Sequence, residues 1–154
     1  MGRENSGGNQ ANRRAKSMSS VPKSKRGKSP AEFLELARQL KFYTIDKCAD
    51  LPKKYKQDMW DPMKRLANDA KDLILYANSI FPTNKALAEE RANAFKRANA
   101  KLTALASDVD DFEWLKDEIP ISYEIREEWT RMAYTLRNLV DGVMESDKKR
   151  FRFP

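Results

Sequence analysis

Apolar residues in this chain recur every three or four positions in four successive stretches, and prolines separate the stretches. Phe33, Ala37, Leu40, Thr44, Cys48 and Leu51 fall on one stripe, with Leu36 and Tyr43 beside it, which predicts a helix over about residues 30–50. Met59, Met63, Leu66, Ala70, Ile74 (or Leu73), Ala77 and Ile80 predict a second over about 55–80. Pro62 falls in its first turns, where a missing N–H costs least. Ala88, Ala92, Phe95, Ala98, Leu102, Leu105, Ala106, Val109 and Phe112 mark a third over about 84–116. Ile125, Trp129, Met132, Leu136, Leu139 and Val143 mark a fourth over about 122–146. Alternation at period two is sustained nowhere, so no strand is expected.

The punctuation agrees with this segmentation. Ser29-Pro30-Ala31-Glu32 reads as a capping box with proline at the first helical position. Pro52, Pro82 and Pro120 break the pattern, Thr83 or Asn84 can cap the third helix, and Ser122 can cap the fourth. Short connections make sequential helices neighbours, so the predicted fold class is all-α, an antiparallel up-down-up-down four-helix bundle. Tyr43, Tyr55, Trp60, Tyr76, Trp114, Tyr123 and Tyr134 lie beyond these stripes and would supply surface for self-association.

Upstream of residue 30 the pattern vanishes. Residues 1–29 hold four of the five glycines and only Met1, Ala11, Ala15, Met18 and Val21 as apolar residues. Such a segment cannot bury enough surface to offset its ordering entropy, so it reads as a disordered basic tail. The expected organisation is a tail over 1–29, the bundle over 30–146, and a short basic-aromatic C-terminal tail over 147–154.

Charge follows the same division. The first 29 residues carry eight Lys/Arg against Glu4 alone, residues 30–144 carry 18 against 20 acids, and residues 145–154 carry four against two, so the net charge of +7 sits in the tails. A near-neutral helical body with basic arms suits attachment to a polyanion. The arm residues Arg13, Arg14, Lys16, Lys23, Lys25, Arg26 and Lys28 are candidate phosphate contacts. Lys53, Lys54 and Lys56, beside Tyr55, offer a second basic turn; the plainer reading is an exposed helix end anchored by Leu51. At the C-terminus, Lys148, Lys149, Arg150 and Arg152 interleave with Phe151 and Phe153, either an interaction arm or a solubilising tail. Residues 108–128 hold nine acids against Lys116 and Arg126, an end expected to face solvent or a basic protein, with the Lys53–Lys56 turn and the tails on the other side.

Several chemistries drop out. The chain has no histidine, which removes the commonest general base and transition-metal ligand, and its lone Cys48 excludes an intrachain disulfide. Asp110, Asp111 and Glu113 match no ordered metal loop, no inward stripe contains several acids, and a carboxylate-driven Mg²⁺ enzyme is disfavoured. No catalytic residue, metal or cofactor is expected. No stretch approaches the roughly 20 apolar residues of a membrane span, and no apolar run follows the first basic residues, so a cytoplasmic setting is expected.

Four segments carry a family resemblance: Ser29-Pro30-Ala31-x-Phe33-x-x-Leu36-Ala37, Cys48-x-x-Leu51-Pro52-Lys53-Lys54-Tyr55, Ala77-Asn78-Ser79-Ile80-Phe81-Pro82-Thr83-Asn84, and Gly142-Val143-Met144-x-Ser146-Asp147-x-Lys149-Arg150. Over residues 29–150 the chain resembles the accessory variability determinant family of diversity-generating retroelements. The resemblance implies a homopentamer of four-helix protomers that binds the element's reverse transcriptase and its template RNA or cDNA. Such a subunit supports error-prone cDNA synthesis without being the polymerase. The near-neutral body departs from the strongly basic surface the resemblance implies. The residues leave a second reading open, a mobilisation or relaxosome-type accessory protein that prefers duplex DNA.

Removing residues 1–29 should weaken nucleic-acid binding and flatten its salt dependence, by about 0.7 in slope per lost phosphate contact on single strands, while leaving thermal stability nearly unchanged. Titrations at several salt concentrations check this. Undiminished affinity at low salt would show that the arm makes no phosphate contact.

Overall fold

The computed structural model describes residues 30–154. The expected Ser29 cap, the tail over 1–29 and its seven candidate basic residues lie outside the described residues. Four helices account for most of the rest: α1 (Pro30–Ala49), α2 (Asp61–Ser79), α3 (Lys85–Asp110) and α4 (Tyr123–Arg150). Among the described residues there is no strand. Asn84 and Ser122 cap α3 and α4 through their side chains, accepting from Leu87 N at 2.9 Å and Ile125 N at 3.1 Å.

Three boundaries differ from the periodic reading, one of them the end of α3, which passes at Asp110 into a 3₁₀ turn over Asp111–Leu115 instead of continuing to about residue 116. The second helix is preceded by a 3₁₀ turn at Lys53–Tyr55 and a wider π-type turn at Lys56–Trp60 before α2 begins at Asp61. Pro62 has no N–H to give and its ring crowds the carbonyl four residues back, so the backbone before it opens out. That widening turns Trp60 inward, where it is buried and donates from Nε1 to Pro52 O at 2.6 Å. At the other end of the chain, α4 continues to Arg150, past the expected limit at residue 146.

Phe33–Pro154 forms one compact unit around a single core. All six residues of the first stripe are buried, including Thr44, whose hydroxyl accepts from Trp129 Nε1 at 2.9 Å. That bond satisfies both polar atoms deep between α1 and α4. α2 contributes Met63, Ala67, Ala70, Ile74 and Ala77. α3 contributes Ala94, Phe95, Ala98, Leu102, Leu105, Ala106 and Val109, and α4 contributes Trp129, Met132, Ala133, Leu136 and Val140. Small residues on facing helices let the backbones approach closely enough for the larger ones to interdigitate.

Aromatic rings concentrate the packing at one end. Tyr55, Trp60, Phe112, Trp129 and Tyr43 form a continuous edge-on series with successive centroids 5.9, 5.5, 5.7 and 6.0 Å apart. Three of the rings expected to be spare surface, Tyr43, Tyr55 and Trp60, are therefore packed on the core; Tyr76, Trp114, Tyr123 and Tyr134 remain exposed. No helix among the described residues is long and apolar enough to cross a membrane.

Burial pushes the Cys48 thiol up to about 12, and burial, reinforced by Glu128 and Asp46, pushes the Tyr43 hydroxyl up to about 12. Both groups ionise more readily in the unfolded chain. The stability they contribute is complete below the unfolded thiol value of about 9 and is lost as pH rises towards 12. Chemical denaturation from pH 7 to 11 should show a plateau and then a decline, shallower in Cys48→Ala. Native Cys48 should react with a thiol reagent on the order of 100-fold more slowly than in the unfolded chain. Equal reaction rates would show that the thiol is open to solvent.

Candidate nucleic-acid interface

Among the described residues, the basic positions singled out in the sequence separate into two groups at opposite ends of the helices. Lys53, Lys54 and Lys56 occupy the α1–α2 connection, which meets the connection between α3 and α4. There Lys54 Nζ lies 2.6 Å from Glu118 Oε1, and the Tyr55 hydroxyl donates to the same oxygen at 2.5 Å. The hydrogen bonds from Lys54 and Tyr55 hold the Glu118 carboxyl below its usual range, and the bond to Glu118 raises Lys54. Lys56 pairs with Asp61 at 2.9 Å, and this bond, followed by that from Lys64, lowers Asp61.

These contacts overturn the expected charge polarity. The Lys53–Lys56 turn and the acidic 108–128 stretch share one end instead of marking opposite ones, because the packing of Trp60 on Phe112 brings their two connections together. Two of the three lysines are matched by carboxylates, and Lys53 is exposed. The acidic carboxylates are dispersed as well. Glu113 bonds Lys116 and Arg126, which lower it, and among the described residues no group of three or more acids or thiols converges on a metal-sized point. Trp114, on the 3₁₀ turn Asp111–Leu115 that follows α3, stands 88% exposed among these acids.

The other end is assembled differently. Lys148, Lys149 and Arg150 form the last turn of α4, where cations complement the helix dipole, and Arg152 follows in the extended terminal segment. All four are exposed. Among the described residues only Lys148 of the four has a carboxylate partner, Glu145 at 3.2 Å. Phe151 lies beside them, with Arg150 over its ring at 4.9 Å and the Phe81 ring edge-on at 5.7 Å. Phe81 belongs to the α2–α3 connection, so two distant segments of sequence build one aromatic-basic surface. Lys85, exposed in the first turn of α3, adds a further cation close to that connection.

Arg91, absent from the sequence-based candidates, organises this end. Its Nε lies 2.7 Å from Asp147 Oδ2 and its Nη2 3.3 Å from Asp147 Oδ1, a bidentate pair joining α3 to α4. Its Nη1 donates to Ala77 O at 3.2 Å and Ile80 O at 3.1 Å, satisfying carbonyls at the end of α2. The guanidinium also stacks over Phe95 at 5.1 Å and approaches Phe151 at 6.0 Å. Phe95 in turn meets Phe33 of α1 at 6.1 Å, so all four helices converge on this neighbourhood. The spacing contained the signal: 88, 91, 95, 98 and 102 is a heptad run, and it places Arg91 inward where Ala92 was expected.

The α2–α3 surface makes a poorer polyanion site. Two adjoining hollows of about 370 and 460 Å³ share Tyr76 and Arg97, and the acids Asp69, Asp72, Glu89 and Glu90 offset Arg97 and Lys101 there. Tyr76 donates to Glu90 across the groove, which raises its hydroxyl.

Replacing Arg91 by Leu should cost about 3 kcal/mol, because Asp147 is left as a largely buried carboxylate and the Ala77 and Ile80 carbonyls lose the guanidinium donor. Arg91→Leu/Asp147→Leu should recover part of that loss in denaturant melts, giving a coupling energy above about 1 kcal/mol. Strictly additive effects would show that the pair is not coupled.

In comparisons with known proteins, the chain matches no family model, no curated sequence and no solved structure.

Proposed function

We propose that this protein is a non-enzymatic nucleic-acid-binding accessory protein that works beside a reverse transcriptase and its template RNA or cDNA. The single observation that carries the reading is the surface at the end of α4. Lys148, Lys149, Arg150 and Arg152 converge there with Phe81 and Phe151, while the acid-rich 108–128 stretch is held at the opposite end. Phosphates are attracted to one end and repelled from the other, which orients the chain on a polyanion without base readout.

In this reading the four helices form an antiparallel up-down-up-down bundle. Arg91–Asp147, Asn99–Asp141 and Glu113–Arg126 pair α3 and its following turn with α4 in opposite directions, and Lys101–Asp69 and Tyr76–Glu90 do the same for α2 and α3. The segments behind the family resemblance contribute Phe33, Ala37, Cys48 and Leu51 to the core, the Asn84 cap, and Asp147 to the Arg91 pair. Self-association would use exposed apolar residues such as Phe42 and Ile45 on α1. The transcriptase, a nucleic-acid-binding protein with basic surface, would meet the acidic end around Trp114.

Co-expression with a retroelement reverse transcriptase should yield a complex on purification, with RNA retained at low salt, and mass measurement of the free protein should give an oligomer. Trp114→Ala should reduce transcriptase capture by about tenfold or more, the loss expected for an interface aromatic anchor, while leaving RNA binding intact. A monomer that ignores both transcriptase and RNA would sink the reading. Binding to duplex DNA in preference to RNA, without the transcriptase, would replace it with the mobilisation role.

A further inference from the structure

We propose that Phe81, braced edge-on by Phe151, is a stacking platform for unpaired nucleotides, and that Lys149, Arg150 and Arg152 hold the phosphates beside the stacked bases. The inference rests on the nucleic-acid reading above. It adds a choice that charge alone does not make, the preference for a single strand over a duplex.

Phe81 is 70% exposed, although it sits between half-buried Ile80 and buried Pro82 in a connection that is otherwise tied down. Hiding a phenylalanine from water stabilises a fold by about 2 kcal/mol, and a ring left 70% exposed forgoes most of that gain. Its backbone is nevertheless fixed. Ile80 O accepts from Arg91, Ile80 N donates to Ala77 O at 3.1 Å, and Asn84 caps the helix that follows. The ring is oriented too, because it meets Phe151 at 89° and leaves a face uncovered.

Phe151 is held from three sides. Its backbone N–H donates to Asp147 O at 2.8 Å, its ring lies under Arg150, and Arg91 stands 6.0 Å behind it. Beyond it the chain leaves the helix, and burial alternates: Phe151 and Phe153 are half-buried while Arg152 is exposed. Phe151 and Phe153 are thus partly covered while Arg152 stands in solvent beside the exposed Phe81 surface. A base has a π-face to offer whatever its identity, so such a surface binds without sequence preference. In a duplex those faces are already stacked on neighbouring bases. The duplex can reach the cations and cannot use the rings.

The test compares the full-length protein with Phe81→Ala and with Arg150→Gln/Arg152→Gln, by fluorescence anisotropy on a labelled 20-nucleotide oligouridine and on a blunt 20-base-pair RNA duplex across a salt series. Phe81→Ala should weaken oligouridine binding by about tenfold, leave duplex binding within about twofold, and keep the salt slope of the parent. Phe81→Trp should restore the affinity. Arg150→Gln/Arg152→Gln should weaken both probes alike and flatten the salt slope. Because Phe81 is exposed, its variants should melt at the temperature of the parent. Equal losses on both probes, or no loss on oligouridine, would overturn the platform while leaving the nucleic-acid reading in place. A parent protein that binds neither probe would remove the nucleic-acid reading as well.

Discussion

The end of the molecule that carries the candidate interface depends on one largely buried cation. Arg91 cannot be desolvated alone, since a charge taken out of water needs compensation on every donor it offers. It finds that compensation in Asp147, in two carbonyls at the end of α2, and in the faces of Phe95 and Phe151. The consequence is geometric. One planar group with fixed donors sets where α2 stops, how α4 lies against α3, and where Phe151 stands when the chain leaves the helix. The exposed Phe81 ring and the cations of the last turn of α4 are then displayed from a tied-down base.

The opposite end is closed by different physics. The series of rings from Tyr55 to Tyr43 fills the space between two connections with apolar volume, and its polar atoms are answered locally: Trp60 by Pro52, Trp129 by Thr44, Tyr55 by Glu118. Exposed ion pairs such as Lys54–Glu118 and Lys56–Asp61 contribute little to stability, but they reduce the net field of a turn that looks strongly basic in isolation. What remains at that end is acid and an exposed tryptophan. Such a surface offers a polyanion little attraction.

Much of the helical architecture was legible because the inward stripe is periodic, and a run such as Phe33, Ala37, Leu40, Thr44, Cys48 names its own buried face. Capping by Asn84 and Ser122 followed from local hydrogen-bond chemistry in the same way. The register of the second helix was less visible. Its start depends on how Pro62 deforms the preceding turns, and that deformation brings Trp60 in. Charge was read least well, because local net charge does not reveal which loops meet: Lys54 and Glu118 lie 64 positions apart in the chain and 2.6 Å apart in space. The Arg91–Asp147 pair was readable in principle, since 91 continues the run 95, 98, 102 and 147 continues 136, 140, 143. Two opposite charges at inward positions of two helices are a pairing signal that hydrophobicity alone passes over.

That pairing also changes what the C-terminal cluster is. A flexible basic tail gains affinity only through counterion release and loses part of it to the entropy of being ordered on its target. Lys148, Lys149 and Arg150 belong instead to the last turn of a helix anchored one position earlier at Asp147, so their positions are set before any ligand arrives. The same anchoring holds Phe151 against Phe81 without covering the Phe81 ring. On the proposed reading, salt-sensitive attraction and pre-ordered stacking would be combined on one surface. Their different responses to ionic strength mean that charge and aromaticity make separable contributions to whatever this end of the bundle holds.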